Sequence, residues 1–277
     1  MKIGIVGLGL IGGSLAKCIK RYTDNQVLGI DINEESMTMA HMSGAIDGEL
    51  TAENMSDCRL IMIAIPPVAL VKWVEDNAKN MKGTLLIDMC GVKRSICDKL
   101  HAVAAENGFS YLGGHPMAGR EVSGFANATV DLFKGASMIL TPDERTDILM
   151  LDLAKHLFMA IGFDSITFTT PDEHDRIIAY TSQLAHITSS AYIKSPTAQK
   201  HMGFSAGSYR DLTRVAKLDE KLWTELFLEN SDYLTGELRQ LVDNLNEYLT
   251  ALEAKDADKL VRLLRDGREL KLTAGGD

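Results

Sequence analysis

The chain has few cysteines, no long hydrophobic run and no surplus of positive charge, and each shortage removes a class of function. Its four cysteines, Cys18, Cys58, Cys90 and Cys97, show no CxxC spacing, so neither a redox pair nor a zinc cluster is spelled out and no metal is expected. Three of them lie in or beside apolar stretches, where cysteine behaves as a small buried hydrophobe, and a reduced, cytoplasmic setting is the simplest reading. No segment approaches the roughly 18 consecutive apolar residues that a membrane span requires. Met1 leads straight into a strand-like run rather than a basic stretch followed by an apolar one, so neither insertion nor export is expected. The formal net charge is -9, with 29 Lys and Arg mixed among 38 Asp and Glu. No basic stripe for nucleic acid and no polybasic arm for a membrane stand out. An anionic ligand must therefore meet locally placed Arg, Lys or backbone N–H groups. Internal repeats and low-complexity segments are also missing.

What is present is enough apolar material, 45% of 277 residues, for one large domain or two modest ones. Up to about Thr170, short β-rich runs alternate with amphipathic stretches, the pattern of βαβ units and a parallel sheet covered on both faces. Strands are expected at Ile3 to Val6, Val27 to Ile30, Leu60 to Ile65, Thr84 to Asp88, Ser110 to Gly113, Ser137 to Leu140 and Ser165 to Phe168. After Pro171 the β-branched runs vanish, and apolar residues recur every three or four positions through Ile177 to Ile193, Leu222 to Leu234 and Leu238 to Leu252. Thr170-Pro171-Asp172-Glu173 reads as a helix start, with a capping hydroxyl, proline in the first turn and acids facing the helix dipole. The expected fold is thus α/β: a Rossmann-type doubly wound parallel sheet in residues 1–170 and an all-helical domain in residues 171–277. The polar tail from Thr273 to Asp277 is expected to fray.

The first strand runs into Gly7-Leu8-Gly9-Leu10-Ile11-Gly12 and then into a helix. In a G-x-G-x-x-G turn the first glycine permits the bend, the second lets the backbone approach a pyrophosphate, and the third lets helix and strand pack closely. Backbone N–H groups at the helix N-terminus then hold the diphosphate. Asp31 ends the next strand, where a carboxylate accepts from the ribose hydroxyls and repels a 2′-phosphate, so NAD is expected rather than NADP. Asp31 can equally cap the helix expected from Asn33 to Met42, and the two roles can coexist. Ile65 and Pro66 end a later strand on the same edge of the sheet, placed to line the cofactor groove or simply to stop the strand.

Gly113-Gly-His-Pro-Met-Ala-Gly-Arg-Glu-Val-Ser-Gly124 is too glycine-rich for a helix and reads as a loop after a strand whose carboxyl end points at the same cleft. A histidine there, His115, can take up a proton near neutral pH, or can merely tie down a loop. The stretch resembles the G-G-H-P-x-A-G-x-E segment of the prephenate and arogenate dehydrogenases of tyrosine biosynthesis. The likeness extends through A-I-P-P at Ala64 to Pro67, D-M-C-G-V-K at Asp88 to Lys93, T-S-Q-L-A-H at Thr181 to His186 and R-D-L-T-R-V-A at Arg210 to Ala216. The order and spacing of these segments make the resemblance specific.

The resemblance implies an oxidative decarboxylation, in which NAD takes a hydride from the ring carbon bearing the hydroxyl, CO2 leaves from the opposite carbon, and the ring becomes aromatic. It implies that His115 accepts the hydroxyl proton, that Arg214 binds a substrate carboxylate, and that His186 contacts the substrate. Asp211, three residues before Arg214, is placed on the same helix face to hold its guanidinium. Glu121 and Trp223 match positions near the pocket, with an ionic gate implied for Glu121 and packing for Trp223. The chain departs from the family in three places. Gln183 stands where a histidine is usual, so it can hydrogen-bond substrate without carrying charge. Arg120 replaces a small hydroxyl residue and is either a second cation for a carboxylate or a surface residue. Cys90-Gly91 replaces a Gly-Ser pair, so the serine that would orient the catalytic histidine is absent, and water or the backbone near Gly91 is expected to take over. Arogenate is the alternative substrate, and an NAD-sensing module without catalysis is the alternative from another class. Family members pair through the helical domain, and a homodimer through the C-terminal helices is expected.

Overall fold

The computed structural model describes residues 1–275, in two compact units, Met1–Asn230 and Ser231–Asp277. In the first, β1 (Lys2–Val6), α1 (Leu10–Tyr22), β2 (Gln26–Ile30), α2 (Glu34–Met42), β3 (Gly48–Glu49), β4 (Leu60–Ile63), α3 (Pro67–Asn77), β5 (Leu85–Asp88) and α4 (Arg94–Asn107) alternate as βαβ units. They are followed by β6 (Ser110–Pro116), β7 (Ser137–Thr141), α5 (Ile148–Ala160) and β8 (Ser165–Phe168). Four helices complete the unit: α6 (Pro171–Ile178), α7 (Ala185–Tyr192), α8 (Gly207–Thr213) and α9 (Glu220–Glu229). A π-helical stretch, Ala179–Leu184, joins α6 to α7. The second unit is a helical hairpin of α10 (Ser231–Glu253) and α11 (Ala257–Ala274).

The strands form one sheet in the order β3-β2-β1-β4-β5-β6-β7-β8. Alternation along the central strands explains its burial on both faces: Ile3, Ile5, Leu60, Met62, Leu85 and Ile87 enter one apolar core, whereas Val6, Ile61, Ile63 and Leu86 enter the other. The order in which strands are added to the sheet reverses at β1, which lies between β2 and β4, so the crevice at their carboxyl ends is the place where such a fold takes a ligand.

Five points of the sequence reading need correction. The two-residue β3 was missed, because Gly48–Glu49 is too short to show a period. The strand expected to reach Ile65 stops at Ile63, as the following prolines prepare α3. The sheet is mostly but not wholly parallel, since β7 runs antiparallel to β6, pairing His115 with Ile139. The glycine-rich stretch after Gly113 is therefore strand as far as Pro116. Its glycines serve close approach rather than looping: a Cβ on Gly114 would lie 2.7 Å from the Asp88 carbonyl oxygen, and one on Gly113 would lie 2.2 Å from Thr141 Oγ1. The first two residues of the expected tail, Thr273 and Ala274, are helical rather than frayed, and residues 276–277 lie outside the described residues.

Thr170 accepts from the Glu173 N–H and starts α6 as its sequence suggests. No helix among the described residues is long and apolar enough to cross a membrane. At the glycine turn, a Cβ on Gly12 would sit 1.8 Å from the Gly7 carbonyl oxygen, while one on Gly9 would meet nothing within 4 Å. Gly12→Ala is therefore expected to lose about 2–3 kcal/mol of stability by forcing α1 off β1, and Gly9→Ala to stay within about 1 kcal/mol of wild type. Chemical denaturation of the two variants checks the contrast, and equal losses would contradict it.

Candidate active site

The crevice at the carboxyl edge of β1, β2 and β4 has the donors and acceptors of a dinucleotide site. Gly9 is the N-cap of α1 and supplies no side-chain acceptor, so the first-turn N–H groups of Leu10, Ile11 and Gly12 keep no capping side chain and face the opening with the positive end of the helix. Asp31 is anchored from two sides, with Oδ2 accepting from Leu8 N–H at 2.6 Å and Oδ1 from Asn33 N–H at 2.8 Å. Each carboxylate oxygen retains a lone pair for a ribose hydroxyl. The cap of α2 is Asn33, whose side chain accepts from Ser36 N–H, and not Asp31. Leu8 is also a correction: its side chain is fully buried and its N–H is spent on Asp31, so it offers a ligand neither. Ile32, which the sequence reading passed over, is fully exposed beside Asp31 and offers an apolar wall for a flat ring.

On β6, half-buried His115 meets a histidine from the helical segment that follows the sheet. His115 Nδ1 lies 2.9 Å from His174 Nε2, and His174 Nδ1 lies 2.7 Å from Asp175 Oδ1. A carboxylate only accepts, so His174 carries its proton on Nδ1 and presents a bare Nε2. His115 must then donate from Nδ1, which leaves its own Nε2 unprotonated. The Asp175 carboxylate is fixed in turn, because it also takes the N–H groups of Lys93 and Arg94 at 2.8 and 2.9 Å. These are the opening donors of α4, a helix without a side-chain cap of its own.

Burial pushes the His115 imidazole well below its ordinary value of 6.5, and the neighbouring His174 and the Lys93 charge push it the same way. His174 is also lowered, chiefly by burial, with the Asp175 carboxylate pulling against the shift. Beneath them Lys93 and Asp88 form a fully buried ion pair. Asp88 also accepts from Tyr111 OH at 2.6 Å and from Gly114 N–H at 3.3 Å, pinning the residue that precedes His115. No water or Gly91 backbone atom needs to orient His115, since His174 does so. Space at Gly91 remains, because a Cβ there would be 3.9 Å from His115 Cε1 and 3.6 Å from Leu226.

A second cluster lies around α7 and α9. His186 stacks on Trp223 with ring centroids 3.6 Å apart and donates from Nδ1 to the Ser182 carbonyl at 2.9 Å. Its pKa is lowered by burial, and Glu121 and Arg214 are both close enough to act on it electrostatically. The Arg214 guanidinium pairs with Glu121 rather than with Asp211. Arg120 is exposed beside them. Gln183 departs from its expected role: it is buried, its amide N–H donates to the Leu226 carbonyl at 3.0 Å, and its carbonyl accepts from Asn230 at 2.8 Å. Both ends of the side chain are spent on holding α9 to the π-helical stretch, a non-local use that residue spacing could not reveal.

His174, Asp175 and Asn230 were missed as well. The available signal was a His-Asp pair directly behind an already capped helix start. Cations at the mouth and neutral bases inside suit an anionic substrate that must lose a proton. Among the described residues no cluster of His, Cys, Asp and Glu could hold a metal ion.

Comparison with known proteins gives the same direction. The family model "Prephenate dehydrogenase, nucleotide-binding domain" matches residues 15–167, and "Prephenate dehydrogenase, dimerization domain" matches residues 170–266. The prephenate dehydrogenase of Bacillus subtilis is 28% identical over 96% of this chain and 74% of its own length. A structure of prephenate dehydrogenase from A. aeolicus, in complex with hydroxyphenyl propionate and NAD+, superposes with a TM-score of 0.84 at 27% identity, covering 99% of this chain and 98% of that one. The Synechocystis arogenate dehydrogenase superposes with a TM-score of 0.81 at 25% identity, covering 99% of this chain and 100% of that one.

The histidine chain makes a direct prediction. In NMR titration the His115 and His174 resonances should move below pH 6.5. Because both folded-state values are depressed, their contribution to stability is complete above 6.5 and declines as the pH falls from there toward the folded values. Resonances titrating at or above 6.5 would contradict the lowering of both imidazoles by burial.

Proposed function

Because the chain belongs to the prephenate dehydrogenase family, we propose that it uses NAD to convert prephenate to 4-hydroxyphenylpyruvate and CO2. The observation that carries this reading is the Asp175–His174–His115 chain, which turns a bare imidazole nitrogen toward proton uptake beside a dinucleotide crevice. Bound NAD supplies the hydride acceptor. The N–H groups of Leu10, Ile11 and Gly12 suit its diphosphate, Asp31 its ribose, and Ile32, Ile65 and Pro66 its flat ring and groove wall.

In the protein's share of the reaction, Nε2 of His115 accepts the proton of the ring hydroxyl as hydride leaves the same carbon. The bond to the ring carboxylate then breaks, its electron pair enters the ring, and the proton can return to the phenolate oxygen. Positive charge formed on His115 is stabilised through His174 by the Asp175 carboxylate, so the base strengthens as it is used. Arg214 offers a fork for a substrate carboxylate, which would displace Glu121 from it, with Arg120 as a further cation at the mouth. His186 and Trp223 wall the pocket. Aromatisation supplies the driving force, leaving orientation and charge placement to the protein.

Arogenate differs in an amino group in place of the keto group, and Glu121 at the mouth is a group suited to an ammonium, which keeps it as the second substrate to assay. The functional division we favour is a cofactor half in residues 1–170 and a substrate and pairing half in residues 171–277. The exposed leucines of the α10–α11 hairpin, among them Leu245, Leu249, Leu252 and Leu264, support pairing with a second copy through these helices. Four free, buried cysteines fit a reducing, cytoplasmic setting.

Steady-state assays test the chemistry. NADH should form with prephenate, His115→Asn should lower kcat by about 100-fold or more, and the acid limb of kcat/KM should fall below pH 6.5. Arg214→Gln should raise KM for prephenate about 10-fold or more while KM for NAD stays nearly unchanged. A fully active His115→Asn, or equal losses for both ligands in Arg214→Gln, would remove those assignments. Light scattering tests the pairing: Leu245→Asp with Leu249→Asp should give a helical monomer where the wild type is a dimer, and an unchanged mass would refute this interface.

A further inference from the structure

Helix α9 reaches both parts of the site, and its Glu225 has no part in the proton and hydride chemistry. Glu225 Oε1 accepts from the Val68 N–H at 2.6 Å, across 157 positions of sequence. Val68 is the second residue of α3, whose N-cap Pro66 provides no side-chain acceptor. The positive end of α3 is thus met by a carboxylate from a distant helix, a charge-assisted cap. The link into α3 is stiff, since Ile65 is followed by Pro66 and Pro67, whose rings fix their φ angles. A shift of this wall of the cofactor crevice is therefore carried into α3 rather than absorbed in a loop.

The same helix serves the substrate side. Two residues before Glu225, Trp223 carries the His186 ring on its face. One residue after it, Leu226 lies beside Gly91, next to His115, and its carbonyl holds Gln183. At the end of the helix Asn230 donates to the Asp175 carbonyl at 2.8 Å. One rigid element of ten residues, Glu220–Glu229, with its C-cap, is therefore bonded to the cofactor wall at one point and to both substrate-side histidine systems at others.

We propose that Glu225 is a positioning residue that couples cofactor binding to substrate binding, by fixing α9 to the α3 wall of the NAD crevice through Val68. It rests on the chain being an NAD-dependent enzyme of prephenate. Seating the dinucleotide against Ile65 and Pro66 sets the position of α3. The Glu225 bond passes that position to α9, and α9 sets the Trp223–His186 wall. The coupling is reciprocal, because a substrate that orders α9 orders α3 equally.

Calorimetric titration of the full chain tests the proposal, with NAD and hydroxyphenyl propionate each added alone and in the presence of the other. In the wild type each ligand should tighten the other at least about 5-fold. In Glu225→Ala each should bind alone within about 2-fold of wild type, with the mutual effect reduced to about 2-fold or less. Glu225→Gln, whose carbonyl still accepts from Val68, should restore most of the coupling. Glu225→Leu replaces the alanine variant should that one fail to fold. Undiminished coupling in Glu225→Ala, or a loss of NAD affinity equal with and without hydroxyphenyl propionate, overturns the proposal in favour of a local cap. A wild type that binds NAD but not hydroxyphenyl propionate instead overturns the functional reading, and the coupling with it.

Discussion

The Asp175 carboxylate is the group on which the rest of the site depends. It is fully buried and accepts from three donors that belong to different tasks: the Lys93 and Arg94 N–H groups at the head of α4, and Nδ1 of His174. A buried carboxylate without such donors would cost several kcal/mol, so its position is strongly specified. The same bonds that close the N-terminus of α4 therefore decide which nitrogen of His174 holds a proton, and through it which nitrogen of His115 does not. Fold stability and the protonation of the two histidines are set by one side chain, contributed by the first helix after the sheet and used by a helix between its strands. The second buried carboxylate, Asp88, does the complementary work from below. It neutralises Lys93 and grips the backbone at Gly114, so β6 cannot slide and carry His115 with it.

The features legible in the sequence are those whose cause is local. The glycine turn announced itself because Gly7, Gly9 and Gly12 answer to the geometry of one strand, one turn and one helix. The helices after Pro171 were visible because an amphipathic period of 3.6 is a property of neighbouring residues. Thr170 could be read as a cap for the same reason. Where the cause lay elsewhere in the chain, reading failed. Gly114 looked like part of a loop, yet it is glycine because the Asp88 carbonyl and the Met138 side chain crowd β6 from neighbouring strands. The cap of α2 is Asn33 because Asp31 has been recruited by the Leu8 N–H.

The site divides in the same way. His115, Glu121, His186 and Arg214 stand out by motif and family resemblance, whereas His174 and Asp175 do not, since a His-Asp pair behind the Thr170 cap reads equally well as the ordinary first turn of a helix. The pairing of Arg214 with Glu121 rather than Asp211 shows a long-range partner winning over the helical neighbour that spacing favours. Gln183 shows the converse error: a residue at a functional position in the family pattern has been drawn into a buried bridge between two helices.

These placements give the site a division of labour that its energetics explain. The groups that decide where a proton goes run from fully buried Asp175 through buried His174 to half-buried His115, hydrogen-bonded in series, where each bond polarises the next and a wrong tautomer would leave an unsatisfied group. The Arg214–Glu121 pair is arranged oppositely. The Arg214 side chain is 63% exposed and that of Glu121 28%, so their ion pair is screened and costs little to exchange. An incoming carboxylate can then replace Glu121 on Arg214 without disturbing the histidines behind it. Had Arg214 been buried like Lys93, its pairing would be too costly to break and the mouth would stay shut. Had His115 been as exposed as Arg214, its protonation would follow the solvent at the ordinary imidazole value. An exchangeable mouth and a fixed interior therefore follow from where each pair stands relative to water.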